Sequence, residues 1–245
     1  MSFSDDEIER YARHLVLAEV GGPGQQRLKA ARIGLIGAGG VGAPAALYLA
    51  AAGIGALRLI DDDDVALSNL QRQIAFSTAD VGRSKVGAAA AALAALNPHV
   101  AVETRAERLS AANAHGLLDG CDLVIDGTDD FATRFAVSDA CLALDVPLVS
   151  GALGRWGGQV GLFEGRPCYR CLVSALPPDA ETCARVGVIG ALAGVIGSMA
   201  ALEAIKRIVG AGRPLAGRLL IYDGLAGTAR TVGVAPDPAC PACGG

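Results

Sequence analysis

The hydrophobic pattern of the chain changes period repeatedly between residues 31 and 150. Short apolar runs of strand length alternate with Ala-rich stretches of helical period, which predicts an α/β protein with a mostly parallel sheet and helices on both faces. The predicted strands cover residues 33–36, 56–60, 100–105, 122–126 and 147–150. A helix is predicted directly after the first strand, and further helices are predicted at residues 84–96, 110–118 and 131–144.

The flanking regions follow different patterns. Ser4 and Glu7 have the spacing of a capping box, so a helix is predicted from there to about residue 18. A Gly-Gly-Pro-Gly cluster at residues 21–24 then predicts a break before a short helix. Beyond residue 151 the strands follow one another with fewer helices, so mixed or antiparallel strands should extend the sheet. The elements predicted there are strands at 157–164, 218–223 and 228–234 and a Gly/Ala-rich helix ending near residue 209.

A glycine-rich turn follows the first predicted strand. Gly37, Gly39 and Gly42 form the pattern G-x-G-x-x-G, and Asp61 ends the second strand. Glycine permits a tight turn and a close approach of phosphate, and the free N–H groups of the following helix face that phosphate. An acid at the end of the second strand can bind a ribose hydroxyl. The pattern indicates a Rossmann-like nucleotide site, although a tight turn without a ligand stays open and the motif does not identify the nucleotide.

Charged residues are expected at the same edge of the sheet. Arg72 lies in a polar loop after the second strand, and Lys85 lies at the start of a helix, where both can reach phosphates. Each is, taken alone, more often a surface charge. Asp129 and Asp130 follow the fourth strand and are candidate Mg²⁺ ligands, with capping of the next helix as the alternative for Asp130. The acidic run Asp61–Asp64 is either a solvated loop or a further site for ribose or a hydrated metal.

Two C-x-x-C pairs predict a metal site. Cys168 with Cys171 and Cys240 with Cys243 can supply four thiolates to one tetrahedral zinc ion, which leaves no open position and predicts a structural role. A redox dithiol is the alternative. Cys183 lies in a polar loop, where a neighbouring arginine can favour the thiolate.

Composition narrows the class of protein. The chain has 245 residues and a net charge of −4 with mixed signs, which argues against a nucleic-acid partner. No signal peptide is evident, and seven cysteines without one favour a reducing, cytosolic compartment. The uncharged stretch 186–202 is short for a membrane span and rich in glycine, so it predicts a buried or subunit-interface helix. A single domain is expected over residues 1–245, with a helical segment (1–30), a nucleotide-binding part (31–151) and a C-terminal part (152–245).

Together these motifs resemble the MoeB/ThiF family, the bacterial relatives of ubiquitin-activating enzymes, and MoeB most of all. The similarity covers nearly the whole chain. Its motifs are R-Y-A-R-H at 10–14, the glycine loop at 37–42, L-S-N-L-Q-R-Q at 67–73, V-G-x-x-K-V at 81–86, G-T-D-D at 127–130, E-T-C at 181–183 and both cysteine pairs. The resemblance implies ATP-dependent adenylation of the C-terminal glycine of a ubiquitin-like sulfur carrier ending in Gly-Gly, with release of pyrophosphate. The implied pathway is molybdopterin biosynthesis, with thiamine biosynthesis or another sulfur-transfer pathway as the alternative.

The resemblance also implies roles for individual residues. Asp129 holds Mg²⁺, and Arg13 is supplied across a homodimer interface to the partner's ATP. The implied catalytic residues are Arg13, Arg72, Lys85, Asp129 and, for sulfur transfer in some members, Cys183. The implied ATP-binding residues are Gly37, Gly39, Gly40, Gly42, Asp61, Ser68, Asn69, Leu70, Gln71, Arg72, Lys85, Asp129 and Asp130. Residues 152–245 would bind the carrier, form the dimer contacts and hold zinc, and a separate sulfurtransferase is a further expected partner.

The chemistry agrees with this residue set. A carrier carboxylate is already ionised, so its attack on the α-phosphorus needs positioning and charge neutralisation but no protein nucleophile or base. Two other functions stay open at this point. An NAD-binding oxidoreductase would share the glycine loop but not the cluster of Arg72, Lys85 and Asp129, and a scaffold without turnover would not need these charges.

Overall fold

A single mixed sheet forms the centre of the computed structural model, which describes residues 2–175 and 187–244. The strands of this described part are β1 (Arg32–Ile36), β2 (Ala56–Ile60), β3 (Ala101–Arg105), β4 (Leu123–Asp126), β5 (Leu148–Gly154), β6 (Gly157–Phe163), β7 (Arg218–Asp223) and β8 (Thr228–Gly233). They lie in the order β3-β2-β1-β4-β5-β6-β7-β8. Neighbours from β3 to β5 are parallel, and neighbours from β5 to β8 are antiparallel. The predicted parallel sheet with an antiparallel C-terminal extension is confirmed.

Helices cover both faces of this sheet, as predicted. The helices of the described residues are α1 (Asp5–Arg10), α2 (Ala12–Leu15), α3 (Gly21–Ala30), α4 (Gly42–Ala52), α5 (Lys85–Leu96), α6 (Ala114–Leu118), α7 (Phe131–Ala143), α8 (Tyr169–Leu172) and α9 (Gly190–Val209). Because successive strand side chains point to opposite faces, neighbouring residues enter different cores. Leu35 packs with α4, α5 and α9, whereas Ile36 packs with α6 and α7.

The strand order places one edge of the sheet at the centre of the site. β1 lies between β2 and β4, so the chain leaves β1 in one direction and later returns to its other side. This is the switch point at which open α/β sheets bind ligands beyond the carboxyl ends of their strands. The glycine turn, Asp61 and the residues after Asp126 all come from these three ends.

The N-terminal helices differ from the prediction. A continuous helix to about residue 18 was expected, but α1 ends at Arg10. The next residue, Tyr11, has a buried ring, and its hydroxyl accepts a hydrogen bond from Asn97 Nδ2 at 2.9 Å. Gly53 makes room for this ring, because a Cβ there would lie 2.4 Å from Tyr11 Cζ. The buried contacts of Tyr11 therefore interrupt the helix that the apolar period of the sequence predicted.

The glycine cluster was also expected to break the chain before α3, yet α3 begins at Gly21. Pro23 lies in the first turn of this helix, where a missing N–H breaks no intrahelical hydrogen bond. In the C-terminal part, α9 confirms the Gly/Ala-rich helix, and β7 with β8 confirms the hairpin. Within the described ranges, no helix combines the length and apolarity needed to cross a membrane.

We predict that Gly42→Ala destabilises the fold, because a Cβ there would lie 1.9 Å from the carbonyl oxygen of Gly37. The expected loss in the free energy of unfolding is about 1–3 kcal/mol, the range of overpacked sites. Gly87→Ala is the matched control in the first turn of α5, where the nearest heavy atom is 3.9 Å away. Urea unfolding measures both variants, and equal stabilities would contradict the packing argument.

Candidate active site

The glycine turn lies against the loop after β4 with little space for side chains. Gly37 has φ +82°, in the left-handed region that favours glycine. A Cβ at Gly37 would lie 3.3 Å from the backbone of Gly127, and a Cβ at Gly127 would lie 3.0 Å from the backbone nitrogen of Gly42. The G-x-G-x-x-G spacing thus lets the two loops touch and leaves the start of α4 open towards the cavity.

Asp61 is tied directly to this turn. Its carboxylate accepts hydrogen bonds from the backbone N–H of Ala38 at 2.7 Å and of Asp63 at 2.9 Å. Burial raises the pKa of Asp61, and the Lys85 ammonium nearby opposes that rise. A carboxylate has lone pairs for further donors, so Asp61 can hold the turn and still accept a ribose hydroxyl. The structure therefore adds a role in fixing the turn to the predicted role in binding ribose.

Lys85 is the first residue of α5 and is 5% exposed. Its Nζ lies 2.6 Å from Asp63 Oδ2 and 3.8 Å from Asp61 Oδ1. Carboxylate oxygens of Asp61, Asp62 and Asp63 lie within 4.8 Å of one another, a spacing that could hold a metal ion. The Lys85 ammonium already supplies counter-charge to this cluster, so we assign no metal to it.

The S-N-L-Q-R-Q segment forms a wall beside the turn. Asn69 Oδ1 accepts a hydrogen bond from the backbone N–H of Ala66 at 3.3 Å, and Arg72 Nη1 donates to the backbone oxygen of Ser68 at 3.2 Å. The stem of Arg72 lies 3.7 Å from the position of a Cβ on Gly40. These contacts direct Arg72 along the glycine turn.

One cavity of about 420 Å³ collects most of the predicted residues. Its lining includes Gly37, Gly39, Gly40, Asp61, Asn69, Arg72, Lys85, Asp129 and Asp130. The predicted ATP-binding residues outside its lining are Gly42, Ser68, Leu70 and Gln71. Gly42 serves close packing, and the backbone of Gln71 borders the start of α9, where a Cβ on Gly190 would lie 2.0 Å from the Gln71 oxygen.

The two acids after β4 have different environments. Asp130 accepts hydrogen bonds from the backbone N–H groups of Ala132 at 3.2 Å and Thr133 at 3.1 Å, so it caps α7 as the alternative interpretation predicted. Asp129 is exposed and lies on the cavity lining. Asp129 is thus the freer of the two carboxylates for a bound ion.

Two buried side chains of opposite charge beneath this loop were not predicted from the sequence. Asp126 is 1% exposed and Arg134 is 4% exposed. Arg134 donates to the backbone oxygens of Thr128 and Gly151, the latter at 2.9 Å, and Asp126 accepts from Thr128 N–H at 2.9 Å. Burial raises the pKa of Asp126; burial also opposes the Arg134 charge, but the Asp126 carboxylate raises the pKa of Arg134. The sequence signal that could have indicated this site is Arg134 itself, a charged residue among the apolar positions of α7.

Further lining residues come from outside the predicted set. Gln73, the last residue of the S-N-L-Q-R-Q segment, is buried on the cavity wall. Gln159 and Tyr169 extend the lining into the C-terminal part of the chain. Periodicity does not distinguish these positions from ordinary strand and helix residues.

The four cysteines of the C-x-x-C pairs meet as predicted. The Sγ atoms of Cys168 and Cys240 are 3.6 Å apart, and those of Cys171 and Cys243 are 3.4 Å apart. All four lie within 4.8 Å of one another. Four thiolates around a tetrahedral ion with bonds of about 2.3 Å have sulfur–sulfur separations of about 3.8 Å, so this cluster fits such an ion.

The chain is similar to known proteins over most of its length. The ThiF family model matches residues 11–242. The chain belongs to the ThiF family. The predicted family resemblance is therefore confirmed, and the match covers the glycine turn, the S-N-L-Q-R-Q wall and three of the four cysteines, with Cys243 just beyond its end.

Individual relatives of this ThiF-family chain match over its full length. It is 45% identical to the sulfur carrier protein adenylyltransferase of Thermus thermophilus, over 100% of this chain and 93% of the relative. It is 43% identical to the SAMP-activating enzyme E1 of Haloferax volcanii, over 100% of this chain and 92% of the relative. The adenylyltransferase and sulfurtransferase MOCS3 of Anopheles gambiae is a longer protein. The alignment with it has 44% identity and covers 98% of this chain but 56% of that protein.

Solved structures agree on the fold. The crystal structure of E. coli MccB with MccA-N7isoASN aligns with a TM-score of 0.86 at 22% identity, over 100% of this chain and 76% of that one. PaaA aligns with a TM-score of 0.82 at 27% identity, over 95% of this chain and 75% of that one. Both alignments show that the fold is shared.

One predicted catalytic residue lies outside this cavity, and a second cannot be placed by the described residues. Arg13 is exposed on α2 and is not part of the cavity lining. Cys183 falls outside the described residues.

We predict that Arg134→Met destabilises this ThiF-family chain by about 1–3 kcal/mol, because the buried backbone oxygens of Thr128 and Gly151 lose their donor and Asp126 loses a nearby positive charge. The double variant Asp126→Asn with Arg134→Met should recover part of the loss, since the remaining group is neutral. Urea unfolding of the two variants and the unchanged chain measures the difference. A loss below about 1 kcal/mol in the single variant would contradict the stabilising role of the buried Arg134 hydrogen bonds.

Proposed function

We propose that the chain catalyses the ATP-dependent adenylation of the C-terminal glycine of a small ubiquitin-like sulfur-carrier protein, releasing pyrophosphate. The observation that carries the proposal is the cavity itself, in which Asp61, Arg72, Lys85 and Asp129 border the glycine turn. The match over the whole chain to the sulfur carrier protein adenylyltransferase of Thermus thermophilus supports the proposal. The same match disfavours the oxidoreductase that the glycine turn alone left open.

The proposed reaction needs little from the protein besides position and charge. An oxygen of the carrier carboxylate forms a bond to the α-phosphorus, the bond from that phosphorus to the bridging oxygen breaks, and pyrophosphate leaves with the electron pair. No proton moves in this step. Arg72 and Lys85 lie where they can neutralise phosphoryl oxygens, and the N–H groups of the glycine turn add fixed dipoles.

Asp129 is the residue that we propose to hold Mg²⁺. Its carboxylate is exposed on the cavity lining, and carboxylate oxygen is the ligand type that Mg²⁺ takes beside phosphates. When bound, Mg²⁺ would neutralise triphosphate charge. Lys85 has a different requirement: it must share or exchange its Asp63 partner when a phosphate arrives, since its ammonium is already paired at 2.6 Å.

ATP–pyrophosphate exchange tests the proposed function. We predict exchange that depends on a carrier ending in Gly-Gly, and a loss of about 10²-fold or more in Asp129→Ala without loss of folding, since one charge-stabilising group is removed. Asp119→Ala is the control, because Asp119 is exposed outside the cavity lining. Molybdopterin and thiamine carriers are compared in the same assay, and we propose the molybdopterin carrier first. The proposal fails if the unchanged chain exchanges with neither carrier.

We propose zinc as the occupant of the four-cysteine cluster, with a structural role. Two of its ligands come from Cys240 and Cys243 near the C-terminus, and Cys171 Sγ also accepts a hydrogen bond from the backbone N–H of Asp237 at 3.4 Å. An ion there would fasten the C-terminal segment to α8. The closed shell of four sulfurs offers no position to a substrate.

Metal analysis of purified chains tests the zinc proposal. The unchanged chain should contain one zinc ion, and Cys240→Ser should lose it and unfold at a lower temperature, because the tie to the C-terminal segment is gone. Cys141→Ala is the matched control: Cys141 is buried but lies outside the cluster, so this variant should keep its zinc. A Cys240→Ser chain with full zinc content would contradict the assignment.

We also propose a homodimer in which Arg13 reaches the partner's cavity, since Arg13 is exposed and remote from the lining of its own. Arg13→Ala and Asp129→Ala chains should each be inactive alone. A mixed dimer would contain one complete site and should recover up to about half of the activity per dimer. If mixing restores no exchange, Arg13 does not act across an interface.

A further inference from the structure

Gln73 carries a polar group that the free protein leaves without a partner. Its side chain is 4% exposed, and Oε1 is shielded from solvent yet accepts no hydrogen bond. Across residues 2–175 and 187–244, its carboxamide takes part in no side-chain hydrogen bond at either end. Oε1 is an acceptor and cannot pair with a phosphoryl oxygen, so only the donor end, Nε2, is available to a nucleotide phosphate.

The backbone holds Gln73 firmly at this position. Its N–H donates to the backbone oxygen of Asn69 at 3.0 Å, and its carbonyl accepts from the N–H of Phe76 at 3.1 Å. Its Nε2 lies 3.5 Å from the position that a Cβ on Gly39 would occupy. The donor end of the carboxamide therefore faces the middle of the glycine turn.

We propose that Gln73 Nε2 donates a hydrogen bond to a non-bridging oxygen of the α-phosphoryl group during adenylation, an inference that rests on the proposed function. Phosphoryl oxygens offer only acceptors, so they match the donor end of the carboxamide. The position along the turn selects the α-phosphate. Ala38 binds Asp61 at the ribose end, Gly40 borders Arg72 at the far end, and Gly39 lies between them.

Gln73 would contribute to the transition state more than to binding. The carrier oxygen bonds to the α-phosphorus while the bond to pyrophosphate breaks, and negative charge on the non-bridging oxygens rises meanwhile. A fixed donor gains strength with that charge, so its removal lowers kcat more than it raises the KM for ATP. Gln73 transfers no proton or electron in this step.

The test compares Gln73→Met, which keeps the side-chain length but removes the donor, with Gln26→Met on the exposed surface of α3. In ATP–pyrophosphate exchange, Gln73→Met should lower kcat by about 10²-fold, with the KM for ATP changed less than about threefold. Its melting temperature without ligand should stay equal or rise, because an unpaired buried group is gone. Gln26→Met should match the unchanged chain.

A carrier-free measurement separates this proposal from the proposed function. By calorimetry, Gln73→Met should bind AMP about 2–3-fold more weakly than the unchanged chain and bind adenosine equally well, because the donor contacts only the phosphoryl group and its hydrogen bond strengthens mainly in the transition state. Unaltered AMP binding, an unaltered kcat, or a kcat loss that accompanies a lower melting temperature would each overturn the role of Gln73. If the unchanged chain shows no exchange while AMP discrimination holds, the adenylation function fails and the phosphoryl contact stands.

Discussion

The structure depends on the absence of Cβ atoms where the loops after β1 and β4 meet. Gly37, Gly42 and Gly127 bring two backbones into contact, with several Cβ positions closer than 3.5 Å to backbone atoms. This contact sets the start of α4 at the switch point of the sheet, where its N–H groups face the cavity. The hydrogen bond from Ala38 N–H to Asp61 and the bond from Arg134 to the backbone oxygen of Thr128 then hold both backbones in place.

The charged side chains of the site are balanced by their surroundings. Lys85 lies between Asp61 and Asp63, whereas the buried Arg134 donates to the backbone oxygens of Thr128 and Gly151. Burying such charges without polar partners would be costly. The two arrangements differ in what binding can change: Asp63 is exposed and can release Lys85, whereas Asp126 and Arg134 are enclosed and act on the loop that carries Asp129.

Much of this structure could be predicted from the sequence because it depends on interactions between residues that are close together in the chain. Apolar period, the G-x-G-x-x-G spacing and the cysteine pairs each arise from backbone geometry within a few residues. The break at Tyr11, the pairing of Lys85 with Asp63 and the buried contact of Arg134 depend on residues far apart in the chain. Gln73 shows the same limit, since its lack of a partner appears only when every neighbouring element is in place.

The central claim is that the cavity transfers AMP to a carrier's terminal carboxylate. Intact-mass measurement of the carrier after incubation with the chain, ATP and Mg²⁺ tests it most directly. We expect the carrier to gain one AMP at its final glycine, and a carrier shortened by that residue to gain none. An unmodified full-length carrier, under conditions in which the chain binds ATP, would contradict the account.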